Sequence, residues 1–571
     1  MTDKSALGPS VRLASIEALR SEVFDVVIVG GGVTGCGSAL DAASRGFRVA
    51  LVEQRDFAAG TSSRSSKMFH GGLRYLAQLR FGLVREALSE RNLMVERLCP
   101  FLVEPQRFLY PLRHRVWERL YVGAGVFLYD ILAAAGKNPL PRHRHHSRAK
   151  AMGLAPGLRR DSLVGAVSYS DVVVDDARHT VLVARTAAAF GANMVSSARA
   201  VEIANGPDGL KRVTVDDLEH GTRFEVKCRA VLNTTGVWTD EIESWAGEKK
   251  IHVVASKGIH LVVPRTAIDM QVGLIVRTKT SVLFVIPWNE HWIVGTTDTP
   301  WNLHKAHPAA SRADIDYLLN EVGTVLRRPL THDDIVGVYA GLRPLLVGES
   351  ESTSRLSREH SVRQVVPGLV SVAGGKYTTY RVMAADGVDA VARHLPSPVP
   401  ASRTTDIPLV GTESATPFNP SSLPVSAWPR LARRYGDRIS DLDALVADNP
   451  ALGEYVASAA PYLRAEIVYG VTHEGALHLD DILTRRTRIS IETKHRGTES
   501  AHDVAGLMGP VLGWDQETVD REVEHYLARV EAERDSQTKL DDTTADAARM
   551  GAADVRIGAD EHGPANDSLG L

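Results

Sequence analysis

Six residues near the start of the chain, Gly30-Gly31-Gly32-Val33-Thr34-Gly35, constrain its fold more than any others. They spell G-x-G-x-x-G and follow directly on Phe24-Asp-Val-Val-Ile-Val, an apolar run of the kind a strand buried in a parallel sheet requires. In such a turn Gly30 makes the tight bend, Gly32 lets the backbone approach a pyrophosphate, and Gly35 lets helix pack on strand. The N-terminus of the helix that follows stabilises the phosphate charge. A second apolar strand, residues 47–52, ends in Glu53, eighteen residues past Gly35, where a carboxylate can meet a ribose hydroxyl. A lone glycine motif says little. Strand, turn, helix, second strand and terminal acid in one order spell a dinucleotide site. Cys36, just inside the helix, reads as a small packing residue.

A length of 571 residues suggests more than one domain, and 44% hydrophobic against 24% charged residues suits a large core. A formal charge of −3 argues against nucleic acid as a partner. The three cysteines, Cys36, Cys99 and Cys228, are scattered and odd in number, so neither a disulfide framework nor a metal site is expected, and a reducing, cytoplasmic compartment fits. His143, His145 and His146 stand among arginines without a carboxylate or thiol, which reads as a solvated basic loop. No signal-peptide pattern is expected in residues 1–20, which are mixed and polar. The most apolar stretch, 120–135, is broken by Asp130 and falls short of the roughly 18 to 20 residues a membrane span needs.

Along the chain, residues 59–160 read mostly as loop and helix, and 165–345 as short strands alternating with helices. A hairpin is expected at 282–287 and 292–297 around Trp288-Asn-Glu-His291. A strand and glycine turn at 369–375 lead into a helix over about 377–394. Proline, serine and threonine at 396–425 mark a linker. Residues 426–534 carry helical spacing. The tail, 535–571, has eight acidic and three basic residues with almost no bulky apolar ones, and is expected to be disordered.

The fingerprint by itself leaves NAD and FAD open. Val231-Leu-Asn-Thr-Thr-Gly236-Val-Trp238 and Ser371-Val-Ala-Gly374-Gly375-Lys376-Tyr-Thr378-Thr-Tyr-Arg381 look like the glycine turns that flavoprotein oxidases place against FAD. With TSSRSSKMFHGGLRYL at 61–76, YSDVVVDDAR at 169–178, SKGIH at 256–260, IPW at 286–288, GTTD at 295–298, YAGLRP at 339–344 and DDILTRRT at 480–487, the chain resembles the FAD-dependent, respiratory-type glycerol-3-phosphate dehydrogenases over roughly residues 23–535. The resemblance implies an α/β fold: a Rossmann-like FAD-binding domain over 1–395, interleaved with an antiparallel-sheet substrate domain (roughly 75–165 and 250–345), and a C-terminal all-helical domain. It implies oxidation of glycerol 3-phosphate to dihydroxyacetone phosphate, with electrons passed to a membrane quinone. It also implies a peripheral position on the inner face of the cytoplasmic membrane, and leaves a homodimer open. The mixture of arginine, Trp117, Tyr121, Phe127 and leucine over 113–132 is what an interfacial segment requires, or equally an amphipathic core helix. An oxidase passing electrons to O2 and a non-catalytic FAD-binding protein are the competing readings. The short stretch between Arg343 and the last glycine turn disfavours the oxidase, which resemblance endows with an insertion there.

Chemistry then selects residues within the matching motifs. A dianionic phosphate calls for cations, and Arg74, Arg343 and Lys376 are the candidates, with Tyr75 as a hydroxyl donor. The C2 hydroxyl calls for a base near neutral pH. His70 is the first choice, beside Gly71-Gly72, and His260 the second, with Lys257 as its electrostatic partner. The cofactor would be held by Gly30, Gly32, Gly35, Glu53, Gly236, Gly374, Gly375, Lys376 and Thr378. Hydroxyls and a cation of the loop after the Glu53 strand, Thr61, Ser62, Ser65, Ser66 and Lys67, complete the set.

Overall fold

The computed structural model describes residues 3–134, 139–278, 282–347, 359–395, 399–412 and 420–556. Its organising element is the strand Val23–Val29, which lies parallel to Val49–Val52 on one side and to Thr222–Asn233 on the other. Leu369–Gly374 and Asn193–Val195 extend this parallel sheet outward, so segments far apart in sequence converge at its centre. Helices Val33–Ser44, Asp176–Ala189 and Tyr380–Ala392 share a core with one face. Helix Pro9–Ser21 packs Ile16 and Leu19 against the other. Strands apolar on both faces become stable only when covered this way.

A second sheet of ten strands, among the described residues, is antiparallel throughout except where Gly273–Arg277 meets Val103–Leu112. The expected hairpin forms as Val282–Trp288 and His291–Gly295. Strand Gly337–Leu346 pairs along its whole length with Val253–Pro264, setting His260 opposite Tyr339 and Ser256 opposite Arg343. Residues 59–160 differ from the expectation of loop and helix. They supply the ten-residue strand Val103–Leu112, whose partner Gly165–Val174 lies beyond the expected border of the substrate domain.

The C-terminal helices, from Trp428–Tyr435 to Gln516–Ser536, have their own apolar cores. A seam of buried ion pairs joins them to the rest of the chain. Asp56 receives Arg485 at 2.5 Å and Arg486 at 2.7 Å, Asp175 and Asp176 receive Arg488 at 2.5 and 2.6 Å, and Glu474 receives Arg178 at 2.8 Å. Breaking one such pair strands a buried charge, which is why this seam holds the two parts in one register.

Two expectations are corrected here. The expected linker is packed in part: Ile407, Leu409 and Val410 are buried and Leu409 N donates to Leu98 O, while Pro400, Ala401, Arg403, Asp406 and Pro408 are exposed. The acidic tail is ordered through residue 556. It forms helix Asp542–Arg549, and its acids find cations: Asp542 with Lys257, Asp554 with Arg55. Net composition predicts solvation, but each of these carboxylates meets a specific partner. Residues 557–571 lie outside the described set.

His478 staples the two parts. Its Nε2 lies 2.9 Å from Glu219 Oε1 and its Nδ1 2.9 Å from Glu522 Oε1. Burial and Arg556 oppose its charge, but Glu219 and Glu522 prevail and raise its pKa to about 10. Burial likewise opposes the Glu219 carboxylate, and His478 overrides it, bringing Glu219 down to about 2. A raised histidine stabilises fully below its unfolded pKa, about 6.5, and the gain disappears as pH rises through the folded value. His478→Gln should therefore lower stability by on the order of 2 kcal/mol at pH 6. The deficit should vanish near pH 10, as paired denaturation curves at the two pH values would reveal; an equal deficit at both would refute the charged staple.

Candidate functional site

A cleft of about 590 Å³ opens where the two sheets meet. It runs from the glycine turn and Glu53, past Thr61, Ser62 and Gly236, to Gly374, Gly375, Lys376 and Thr378. Its size falls in the range of cofactor sites.

The nucleotide end is built as the fingerprint demands. Gly30 adopts φ +107°, a left-handed turn closed to side chains, and Gly31 N donates to Glu53 Oε2 at 2.6 Å. Burial raises the Glu53 pKa, against the hydrogen bonds from Arg55 N and Gly31 N. A Cβ on Gly35 would collide with the Gly30 carbonyl, so helix and strand meet there backbone to backbone. Ser62 Oγ accepts from Val33 N at 2.9 Å, capping the helix from a loop nearly thirty residues away. Gly374 and Gly375 are both left-handed, at φ +81° and +75°, and swing the chain around the far end of the cleft. This open, glycine-lined groove with a helix N-terminus at one end fits an extended dinucleotide such as FAD.

The opposite wall comes from the second sheet, and strand parity decides who faces it. In Val253–Pro264, residues 256, 258 and 260 share one face, and 257 points the other way. His260 and Arg343 accordingly line the cleft. His260 stacks on Tyr339 at 4.7 Å and its Nε2 lies 2.9 Å from Ser66 Oγ. Its buried Nδ1 has no hydrogen-bond partner among the described residues. Burial, then Arg343 and Lys67, hold its pKa well below the usual histidine value, so the ring is neutral at pH 7. Arg343 donates to Thr296 Oγ1 at 3.0 Å and Thr297 O at 3.1 Å, with Asp298 at 3.5 Å. Gly258 makes room for it: a Cβ there would strike the guanidinium.

Other candidates fall differently. His70 lines the cleft, its backbone N bonded to Thr378 Oγ1 at 3.2 Å. Tyr75 lies under the Lys376 ammonium, 4.2 Å from ring to Nζ, and both line the cleft. Ser65 and Ser66 line it too, although Ser65 Oγ is turned onto Asp176 Oδ2 at 2.7 Å. Thr61 faces the cleft while its hydroxyl ties to Leu342 O at 2.6 Å. The side chain of Arg74 lies outside the described residues. Two cations are placed elsewhere. Lys67 is wholly buried behind the loop on Asp176 at 2.7 Å and Ser63 O at 3.0 Å. Lys257 is buried on the back of its strand with Asp314 at 2.6 Å and Asp542 at 2.5 Å. Neither is among the residues that line the cleft; each is held by carboxylates inside the framework. Lys257 was legible from alternation alone: in SKGIH, lysine and histidine cannot share a face. The bracing residues Thr296, Asp298 and Gly258 carry no composition signal, although GTTD already stood out as a motif.

The chain matches the family model described as FAD dependent oxidoreductase over residues 25–381, and that of the C-terminal domain of alpha-glycerophosphate oxidase over residues 402–519. It is 54% identical over 561 residues to glycerol-3-phosphate dehydrogenase 2 of Mycobacterium tuberculosis, covering 97% of this chain and 96% of that protein. To the mitochondrial glycerol-3-phosphate dehydrogenase of Mus musculus it is 33% identical over 546 residues, 90% of this chain and 74% of the other. The crystal structure of glycerol-3-phosphate dehydrogenase from Bacillus halodurans, complexed with FAD, superposes with a TM-score of 0.74 at 25% identity, covering 92% of this chain and 98% of that one.

Proposed function

The chain belongs to the FAD-dependent glycerol-3-phosphate dehydrogenase family, and on that premise we propose that its cleft oxidises sn-glycerol 3-phosphate to dihydroxyacetone phosphate and that the electrons leave to a membrane quinone. The observation that carries the reading is one face of one sheet presenting a neutral imidazole, His260, beside a braced guanidinium, Arg343, across from the glycine turns. FAD, when bound, supplies the hydride acceptor for C2.

The residues of the chain do the rest. Arg343 and Lys376 bind the phosphate dianion, the first through a planar fork held by Thr296 and Thr297, the second as a point charge over Tyr75. His260 accepts the C2 hydroxyl proton, with Ser66 fixing the ring through Nε2. His70 closes the same wall from the side of Thr378. Anaerobic addition of glycerol 3-phosphate to the FAD-loaded protein should bleach the flavin band near ~450 nm, a property of the cofactor. A bound flavin that stays oxidised would overturn the reading. Peroxide formed in air in step with substrate consumption would move the acceptor from quinone to O2.

The membrane side of the proposal rests on helix Trp117–Ala133. Trp117, Leu120, Tyr121, Phe127 and Ile131 repeat at helical spacing and stand 50 to 69% exposed, a contiguous apolar face beside Arg113 and Arg115. No helix among the described residues is long and apolar enough to cross a membrane. The inner side of the same helix reaches the cleft wall, since Gly71 N, next to His70, donates to Tyr129 Oη at 2.8 Å. We expect the protein to float with anionic phospholipid vesicles, and Leu120→Glu with Phe127→Glu to abolish flotation without loss of FAD. Undiminished flotation of the double variant would remove the helix from the proposal.

A further inference from the structure

Behind the loop that carries Thr61 and Ser62, a second cavity of about 90 Å³ lies between the substrate sheet and the C-terminal helices. Six arginines line it, 64, 485, 488, 496, 529 and 549, against two acids, Asp480 and Glu533. Those acids are committed. Asp480 is shared by Arg485 and Arg529, and Glu533 is taken by Arg496. Arg488 is neutralised by Asp175 and Asp176. Arg64 and Arg549 make no ion pair among the described residues. Among the described residues Arg64 reaches Ala306 O at 3.4 Å, and Arg549 Nη2 faces His307 Nδ1 at 3.4 Å. Arg549 is only 4% exposed. Burial, and then the neighbouring arginines, hold Arg64 down to about 9. Burial and Arg529 lower Arg549 to about 10, although Glu533 opposes them. A buried cation with no counter-ion is costly and rarely kept without a partner.

His307 sharpens the point. Burial, Arg55 and Arg549 hold its pKa well below the usual value, so it is neutral. A neutral imidazole has one acceptor nitrogen. Arg55 Nη2, 2.6 Å from Nε2, takes it. Nδ1 must then carry the proton, and it faces Arg549 Nη2, another donor, at 3.4 Å. Two donors pointed at each other beside an uncompensated guanidinium call for a shared acceptor.

We propose that this arginine cavity is a second anion site, taking one small oxyanion of the phosphate class between Arg64, Arg549 and His307, separate from the substrate. The cavity has room for a few waters or one such ion, and guanidinium forks match its oxygens. Occupancy is linked to the cleft. Arg64 lines both spaces and belongs to the loop whose Ser62 caps the dinucleotide helix, while Arg549 ends the helix that folds back over Lys257. A phosphate there pins loop and tail together.

Calorimetric titration of the FAD-loaded full chain with inorganic phosphate tests this. Wild type should bind two equivalents, one displaced by glycerol 3-phosphate and one not, and Arg549→Gln should lose the second. Only the competitor arm rests on the proposed function; the comparison with the variant does not. Arg549→Lys should keep the second equivalent at about tenfold weaker affinity, since charge is retained and the fork is lost. In phosphate-free buffer Arg549→Gln should melt no lower than wild type, because it removes an unpaired buried charge. A single displaceable equivalent in wild type, retention of the second by Arg549→Gln, or a lower melting temperature of that variant without phosphate would each overturn the proposal.

Discussion

Asparagine in place of His260 should slow reduction of the bound flavin by glycerol 3-phosphate by roughly 10²- to 10⁴-fold, the usual contribution of a positioned base. FAD should stay bound, because His260 belongs to the substrate sheet and its contacts are Ser66 and Tyr339. The ring is neutral in the free protein for a definite reason: burial penalises the imidazolium, and Arg343 and Lys67 repel it. It is therefore ready to take a proton at pH 7, and the incoming phosphate dianion offsets the Arg343 repulsion once the proton has moved. His70→Asn is the control. It keeps the backbone bond to Thr378 and leaves His260 in place as the base, so its reduction rate should remain within about tenfold of wild type by the same scale. Stopped-flow measurement of both variants decides between the two imidazoles. A reversed order would return the proton to His70.

Alanine at Gly35 should yield a protein that purifies without FAD. The added Cβ runs into the Gly30 carbonyl and comes within 2.7 Å of Thr234 Oγ1. Neither can yield. Gly30 is locked in its left-handed turn, and Thr234 Oγ1 donates to Val29 O at 2.9 Å and Gly30 O at 3.1 Å. Overpacking of this kind costs about 1–3 kcal/mol, and here the strain falls on the turn that must cradle pyrophosphate, so FAD affinity should drop by roughly 100-fold, the equivalent of the larger figure. Gly82→Ala, where an added Cβ meets nothing within 4 Å, should keep a full complement of flavin. The flavin-to-protein absorbance ratio of the purified variants reads this directly, and a normal ratio for Gly35→Ala would mean that the turn relaxes in a way its contacts forbid.

Local chemistry explains which parts of the molecule are legible in the amino-acid sequence. The dinucleotide turn is contiguous: strand, glycines, helix and acid follow one another, and each residue type answers a steric demand of its immediate neighbours. The hairpin at Val282–Gly295 and the helical character of 426–534 are legible for the same reason. The substrate wall is half legible. Motifs name His260 and Arg343, and strand alternation turns Lys257 to the back of its strand, where Asp314 and Asp542 hold it.

By itself, then, the sequence determined a dinucleotide turn, the glycine bends that accommodate a flavin, and the identity of the candidate cations and imidazoles. Tertiary structure alone decided which of them meet. Lys67 and Asp176 are 109 residues apart, Arg488 and Asp175 313, Arg486 and Asp56 430, and no local rule ties such pairs together. A buried charge is stable only beside its partner, so the partner fixes whether an arginine is scaffold or ligand, and composition cannot tell them apart. The acidic tail folded because its carboxylates found Lys257 and Arg55. Arg64 and Arg549 stand out as ligand-seeking because, once the other charges around their cavity are paired, theirs are left over.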